Sequence, residues 1–305
     1  TAYDLIEFCK LVNGNGETDA KAALLNDIDM RDYNEEFQPI GTSQNIFAGS
    51  FDGKGHTIRN LFISGGEGVG FFGHIGNCTL SNIVFDAACK VEGKNYVGML
   101  AGYAHDNAAT ILGIENNGSV TASDNGAGAL VGYGNEFAVI NVAYSSNTGT
   151  VTAQFNAATL IDPSAGKINV LNSYNIGTVT GSTEGKEFAF ASKSLSLENC
   201  WDYTSTQTNN MTPEQVDNGY LCYQLNYNDV TGSNSWRQNL DNGRQHDPWP
   251  VLRRTSGRVY EGEEGYTNHN ANAATYRYFN LVITGINDGN YGTIQFSEFD
   301  ILDDT

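Results

Sequence analysis

Val97-Gly98-Met99-Leu100-Ala101, Ala127-Gly128-Ala129-Leu130-Val131 and Ala157-Ala158-Thr159-Leu160-Ile161 are one pattern written three times at a constant interval, with its leucine at Leu100, Leu130 and Leu160. An earlier copy, Val69-Gly70-Phe71-Phe72-Gly73, lies upstream at a slightly shorter interval. A second motif keeps nearly the same pace. Asn116-Asn117-Gly118-Ser119-Val120-Thr121 returns as Asn147-Thr148-Gly149-Thr150-Val151-Thr152 and again as Asn175-Ile176-Gly177-Thr178-Val179-Thr180. Self-similarity at a fixed period marks a repeat architecture.

Each unit holds three short alternating segments between Gly or Asn turns, with no room for a crossover helix. That excludes helical repeats such as TPR and ankyrin arrays. The pattern predicts an all-β chain, a right-handed parallel β-helix with three short strands per 28–30-residue coil. Coils of such a solenoid stack ~4.8 Å apart, so equivalent residues form columns. Leu100, Leu130 and Leu160 are expected to share an inward column. Asn116, Asn147 and Asn175 are expected to form a ladder of side-chain amides at one corner.

The open ends of a solenoid need lids against edge-to-edge association. Residues 2–13 place Leu5, Cys9 and Val12 at helical spacing before Gly14-Asn15-Gly16, a helix and its stop. Thr212-Pro213-Glu214-Gln215 has the hydroxyl, Pro and amide of a capping box and predicts a short helix running to about Leu225.

Composition agrees with a turn-rich β protein. Of 305 residues 35 are Gly and only 5 Pro, and 40% are apolar. Net charge is −19, which argues against nucleic acid or an anionic membrane as partner, because both demand Lys/Arg stripes. The same excess makes divalent cations, calcium first, the natural counter-ions; no cofactor is otherwise expected. Five cysteines (Cys9, Cys78, Cys89, Cys200, Cys222) have no metal-like spacing and read as small buried apolar residues. No run approaches the ~20 apolar residues of a membrane helix. The sequence opens at Thr1-Ala2, so a secretion signal, if the gene encodes one, is expected outside it.

The segment Phe47-Ala48-Gly49-Ser50-Phe51-Asp52-Gly53-Lys54-Gly55-His56-Thr57-Ile58-Arg59-Asn60-Leu61 resembles the opening coil of GLUG-type β-helix proteins, surface and adhesin-like proteins of gut anaerobic bacteria. Upstream, Leu25-Asn26-Asp27-Ile28-Asp29-Met30 and Gln38-Pro39-Ile40-Gly41-Thr42 are similar to the same family, as are Trp236–Leu240, Trp249–Leu252 and Gly257–Tyr260 downstream, where its closing strands fall. The resemblance covers residues 1–260 and implies a non-catalytic extracellular scaffold, on the bacterial surface or secreted. It carries over no catalytic residue. Residues 261–305 differ: Tyr276–Phe279 through Ile294–Asp300 resembles a strand pair of discoidin-like (galactose-binding-like) modules, too short for a whole one.

Parallel β-helices also carry polysaccharide lyases and hydrolases, so fold alone does not decide activity. Lyases of uronic acids need Arg or Lys to clamp and deprotonate an anionic sugar. No arginine occurs between Arg59 and Arg237, and residues 64–200 hold five lysines. A hydrolase needs two facing carboxyls. Asp106 and Glu136 are separated by the interval of the leucine repeat, as are Tyr103 and Tyr133, so each pair is expected on neighbouring coils, with His74 one coil below. The three rings form a platform for sugar contact. The two acids, Asp106 and Glu136, read as solvated loop tips, as part of a calcium- or glycan-contacting patch with those rings, or as the pair of a glycoside hydrolase. The leading expectation is a scaffold that contacts host or dietary polysaccharide or a cell-surface partner. A glycoside hydrolase and a spacer presenting a terminal module are the alternatives. His105 and His246 have no second His or Cys at ligand spacing in the sequence, which disfavours a metal site.

Overall fold

A computed structural model describes residues 1–268 except 34–36, 182–187, 204, 234, 241–245, 253–255 and 263–264. It contains a parallel β-helix. One parallel sheet stacks Glu67–Val69, Asn95–Gly98, Ala127–Gly128 and Ala157–Ala158. A second stacks Phe62–Ser64, Lys90–Gly93, Ser119–Ala122, Thr150–Ala153 and Thr178–Thr180. The largest sheet supplies the remaining side of every coil, including Phe72–Ile75, Ala101–Ala104 and Val131–Gly134.

The leucine column forms as the repeat predicts. Leu100 N–H donates to Leu130 O at 3.1 Å, and Leu130 N–H to Leu160 O at 2.9 Å. All three side chains are fully buried. On another side Val91, Val120 and Val151 pair coil to coil, and each is fully buried.

The earliest copy of the repeat is offset differently from its sequence match. Val97 pairs with Val69, but Ala101 pairs with Phe72, so the offset lengthens by one between the two pairs. The extra residue is absorbed in the corner at Met99-Leu100. The sequence match sets Leu100 against Phe72, whereas the fold sets Ala101 there. Both candidates are apolar, so hydropathy could not separate them.

The asparagine ladder is present and buried. Asn116 Nδ2 donates to Asn147 Oδ1 at 2.9 Å, and Asn147 Nδ2 to Asn175 Oδ1 at 2.8 Å. Asn175 Nδ2 then donates to Asp202 Oδ2 at 2.9 Å, so a buried carboxylate ends the row. Each oxygen of Asn116, Asn147 and Asn175 also accepts the N–H two residues on, closing the turn that follows.

At another corner the backbone is left-handed in coil after coil: Asn82, Gly113, Tyr144, Asn172 and Asn199 have φ of 54°, 65°, 52°, 47° and 48°. Asn and Gly tolerate this region; a tyrosine there is exceptional. Tyr144 is held by its hydroxyl, which meets the Asp229 carboxylate and the hydroxyls of Thr231 and Ser233.

Both lids are helical. Helix Ala2–Asn15 carries the Thr1/Asp4 capping box and ends at Gly16 with φ 75°. It buries Leu5, Ile6, Cys9 and Val12, and Phe8 packs on Phe47 and Phe51. The expected single helix from Thr212 is instead two, Pro213–Asp217 and Tyr220–Tyr227. Gly219, at φ 91°, breaks it, and a Cβ there would lie 2.6 Å from Leu240 Cδ1. The Thr212/Gln215 capping box forms as read.

The chain then returns along the left-handed corner as a strap. Trp236 is fully buried, packs on Tyr174 with ring centroids 5.1 Å apart, and donates from Nε1 to Asn172 O at 3.1 Å. Leu252 N–H points to Glu115 Oε1 at 3.4 Å. The segments resembling closing strands meet in an antiparallel bridge, Arg237 with Val251. A hairpin, Tyr260–Gly262 with Gly265–Thr267, follows, and Tyr266 contacts Tyr220 and Tyr223 of the second lid helix. The chain divides into compact units Thr1–Ala271 and Asn272–Thr305. The second unit, with the discoidin-like strand pair expected there, lies outside the described residues.

All five cysteines are buried thiols. Burial pushes Cys78, Cys89 and Cys200 up to about 12, so they act as apolar filling. Among the described residues no helix is long and apolar enough to cross a membrane.

Candidate functional site

The glycines of the repeat build the site. A Cβ on Gly102 would sit 2.0 Å from the carbonyl carbon of Gly68, and one on Gly132 would sit 2.4 Å from that of Tyr96. Only glycine lets the strand before the corner lie directly on the strand after it. Close approach sets Tyr96, in strand Asn95–Gly98, beside Tyr103 on the following strand and Tyr133 one coil further on.

The result is a cluster of five half-buried rings. His74, Tyr103 and Tyr133 stack coil upon coil, with centroids 5.5 and 4.8 Å apart. Their backbones pair in the same register. Tyr96 leans on Tyr133 at 4.4 Å, and His105 on Tyr103 at 4.5 Å. Tyr96 adopts φ 59°, a left-handed conformation that a bulky residue rarely takes. Such rings, apolar on the face and polar at the edge, match the alternating CH and OH faces of a sugar.

The structure brings His74, Tyr103 and Tyr133 together. It treats the two acids differently. Asp106 accepts from Asn135 Nδ2 at 2.6 Å, so an amide on the next coil faces it. The coil-to-coil offset lengthens by one between Ala104/Gly134 and Asn107/Ala138, which interrupts a simple match between Asp106 and Glu136. Both acids are exposed.

Sequence reasoning missed Tyr96 and His105. Tyr96 lies outside the repeat match because it reaches the column across the corner. Short spacing tests His105 only as a metal ligand. Its Nε2 lies 2.8 Å from His74 Nδ1, 31 residues away, two positions beyond the Tyr103 that pairs with His74 one coil on. The available signal was its place two residues after Tyr103, the same-face neighbour on an alternating strand. Among the described residues no group of three or more His, Cys, Asp or Glu could hold a metal.

One ring nitrogen of the histidine pair donates and the other accepts, so at least the accepting ring must be neutral. Burial and the neighbouring His105 lower the His74 pKa to about 4. Burial also lowers His105, against the opposing pull of Asp106. The unfolded chain takes up the His74 proton near 6.5, the folded chain near 4. Stability is therefore full above that window and falls as pH drops through it, because only the unfolded state is then protonated. A proton NMR titration should give a His74 midpoint near 4, and His74→Gln should flatten the loss of stability on acidification. A midpoint near 6.5 would contradict the buried pairing.

No family model matches the chain. Over 102 residues, 32% of the chain, it is 38% identical to halomucin of Haloquadratum walsbyi, a match spanning about 1% of halomucin's own length. Among solved structures it is similar to a "putative immunoglobulin A1 protease" from Bacteroides ovatus, with a TM-score of 0.55 at 15% identity, covering 83% of this chain and 90% of that one. That likeness establishes the shared fold alone.

Proposed function

We propose that the chain is part of an extracellular surface protein whose β-helix holds a glycan against the ring ladder, without catalysing its breakdown. The observation that carries this reading is the half-buried column His74–Tyr103–Tyr133, flanked by Tyr96 and His105 and set on a rigid corner. An adhesin-like role of the GLUG type is supported by the FDGKGHTI segment, and a surface location by the halomucin match. Contacts repeated along a solenoid add up over an extended polymer.

A non-catalytic reading is supported by Asp106 facing an amide. The hydrolase alternative would show as new reducing ends on incubation with neutral polysaccharides, lost in Asp106→Asn and Glu136→Gln. Binding is tested on an array of neutral host and plant glycans. For a captured glycan, Tyr103→Ala with Tyr133→Ala should weaken affinity roughly 5- to 160-fold, from ~0.5–1.5 kcal/mol per ring contact. The unfolding midpoint of the double variant serves as the folding control. Failure to retain any glycan on the array would overturn the proposal.

A further inference from the structure

The ring ladder has a direction and a pitch, and together they select the kind of glycan that can follow it. Tyr103 pairs with His74 on one side and with Tyr133 on the other, so the three side chains mark one position on three successive coils. Their centroids advance by 5.5 and then 4.8 Å. Backbone pairing sets those steps, because parallel strands lie ~4.8 Å apart whatever side chains they carry. Gly102 and Gly132 hold the pitch: a Cβ on either would strike the backbone of the strand beside it.

The phenol hydroxyls of this row are uncommitted. Among the described residues neither the Tyr103 nor the Tyr133 hydroxyl has a hydrogen-bond partner, although both side chains are half-buried. The His74 ring is held at both nitrogens. Its Nδ1 faces His105, and a Cβ on Gly68 would lie 2.9 Å from its Nε2. The exposed acids Asp106 and Glu136 follow three residues after Tyr103 and Tyr133, in a chain of net charge −19. That field turns carboxylated and sulfated sugars away and favours neutral ones.

A polymer that keeps one sugar at each ring must run straight along the solenoid axis and advance one sugar per coil. Diequatorial 1,4-linkages do this. The two bonds leave opposite ends of the chair nearly in line, and each sugar advances the chain by little more than the ~4.8 Å between coils. An axial bond or a 1,3-linkage turns the chain at every sugar, so the next residues leave the row. Resting on the reading of this ladder as a glycan site, we infer that its ligand is an unbranched, neutral β-1,4-linked glycan of gluco or manno configuration. It lies parallel to the solenoid axis, with three consecutive sugars at His74, Tyr103 and Tyr133.

The test is NMR titration of the full chain with cello-, chito- and manno-oligosaccharides of two to four sugars, against malto- and laminari-oligosaccharides of the same lengths. Affinity for at least one β-1,4 series should rise roughly 2- to 10-fold from two sugars to three, for one more ring contact. From three to four it should rise no more than about twofold, for a second way of lying on the row. The malto and laminari trisaccharides should bind no better than their disaccharides. Tyr133→Ala shortens the row to two levels and should bring the β-1,4 trisaccharide down to the affinity of the disaccharide. Tyr103→Ala, at the middle level, should weaken both, and the amide spectrum of each variant checks its folding. Equal or tighter binding of the malto or laminari series, no rise at the third sugar, or equal loss of disaccharide binding in the two variants would each overturn the assignment of linkage and direction. Binding of some other glycan with none of the β-1,4 series would overturn this inference alone; binding of no glycan at all would overturn it together with the reading it rests on.

Discussion

Asn147→Ala is expected to destabilise the solenoid by roughly 3–6 kcal/mol, because it orphans several buried groups at ~1–3 kcal/mol each. The Asn147 amide accepts from Asn116 Nδ2 and from Gly149 N–H, and donates to Asn175 Oδ1. None of these partners can turn to water, since Asn116, Asn147 and Asn175 are all buried. Nor can the turn relax. A Cβ on Gly149 would lie 1.8 Å from Gly118 O, so consecutive turns are already in contact. Urea unfolding followed by circular dichroism measures the loss. A change below about 1 kcal/mol would mean that the ladder fixes register without contributing to stability. The contrast to make is Asn169→Ala: its amide bonds Asn141 at 2.8 Å but at an exposed position, and its loss should cost little.

Leu130→Ala comes next, at about 2–5 kcal/mol. Leu130 lies between Leu100 and Leu160, hydrogen-bonded to both through its backbone and fully buried. Truncation opens a cavity bounded by coils whose spacing is fixed by their own ladders, so the surroundings cannot collapse to fill it. Leu112, 37% exposed on the outer face, is the control and should tolerate Ala within about 1 kcal/mol. Equal effects at the two positions would contradict the assigned inward column.

These two columns were legible because they repeat in residue type as well as in spacing: Leu after Leu, Asn after Asn. The lids were legible from local helix signals, apolar spacing with a Gly stop for the first and the Thr212 capping box for the second, while the Thr1/Asp4 box of the first went unread. What was not read falls outside the period. The break at Gly219 is a positive-φ glycine after Asn218, a local stop inside the span read as one helix. The extra residue at Met99-Leu100 is silent in hydropathy because every candidate there is apolar.

The site divides in the same way. His74, Tyr103 and Tyr133 share a coil position and could be aligned by counting. Tyr96 joins them only because Gly102 and Gly132 allow one strand to lie on another, a closeness no spacing rule expresses. Along the chain the strap stands apart from the solenoid. Folding sets Leu252 against Glu115, on a coil formed more than a hundred residues earlier.

The strap also changes how the molecule comes apart. In an array whose units touch only their neighbours, melting can fray from a free end one unit at a time. Here a single crossing segment grips Glu115, Tyr144 and Asn172, which belong to three successive coils. Those coils cannot separate one by one without first releasing it. They should therefore melt as one cooperative block.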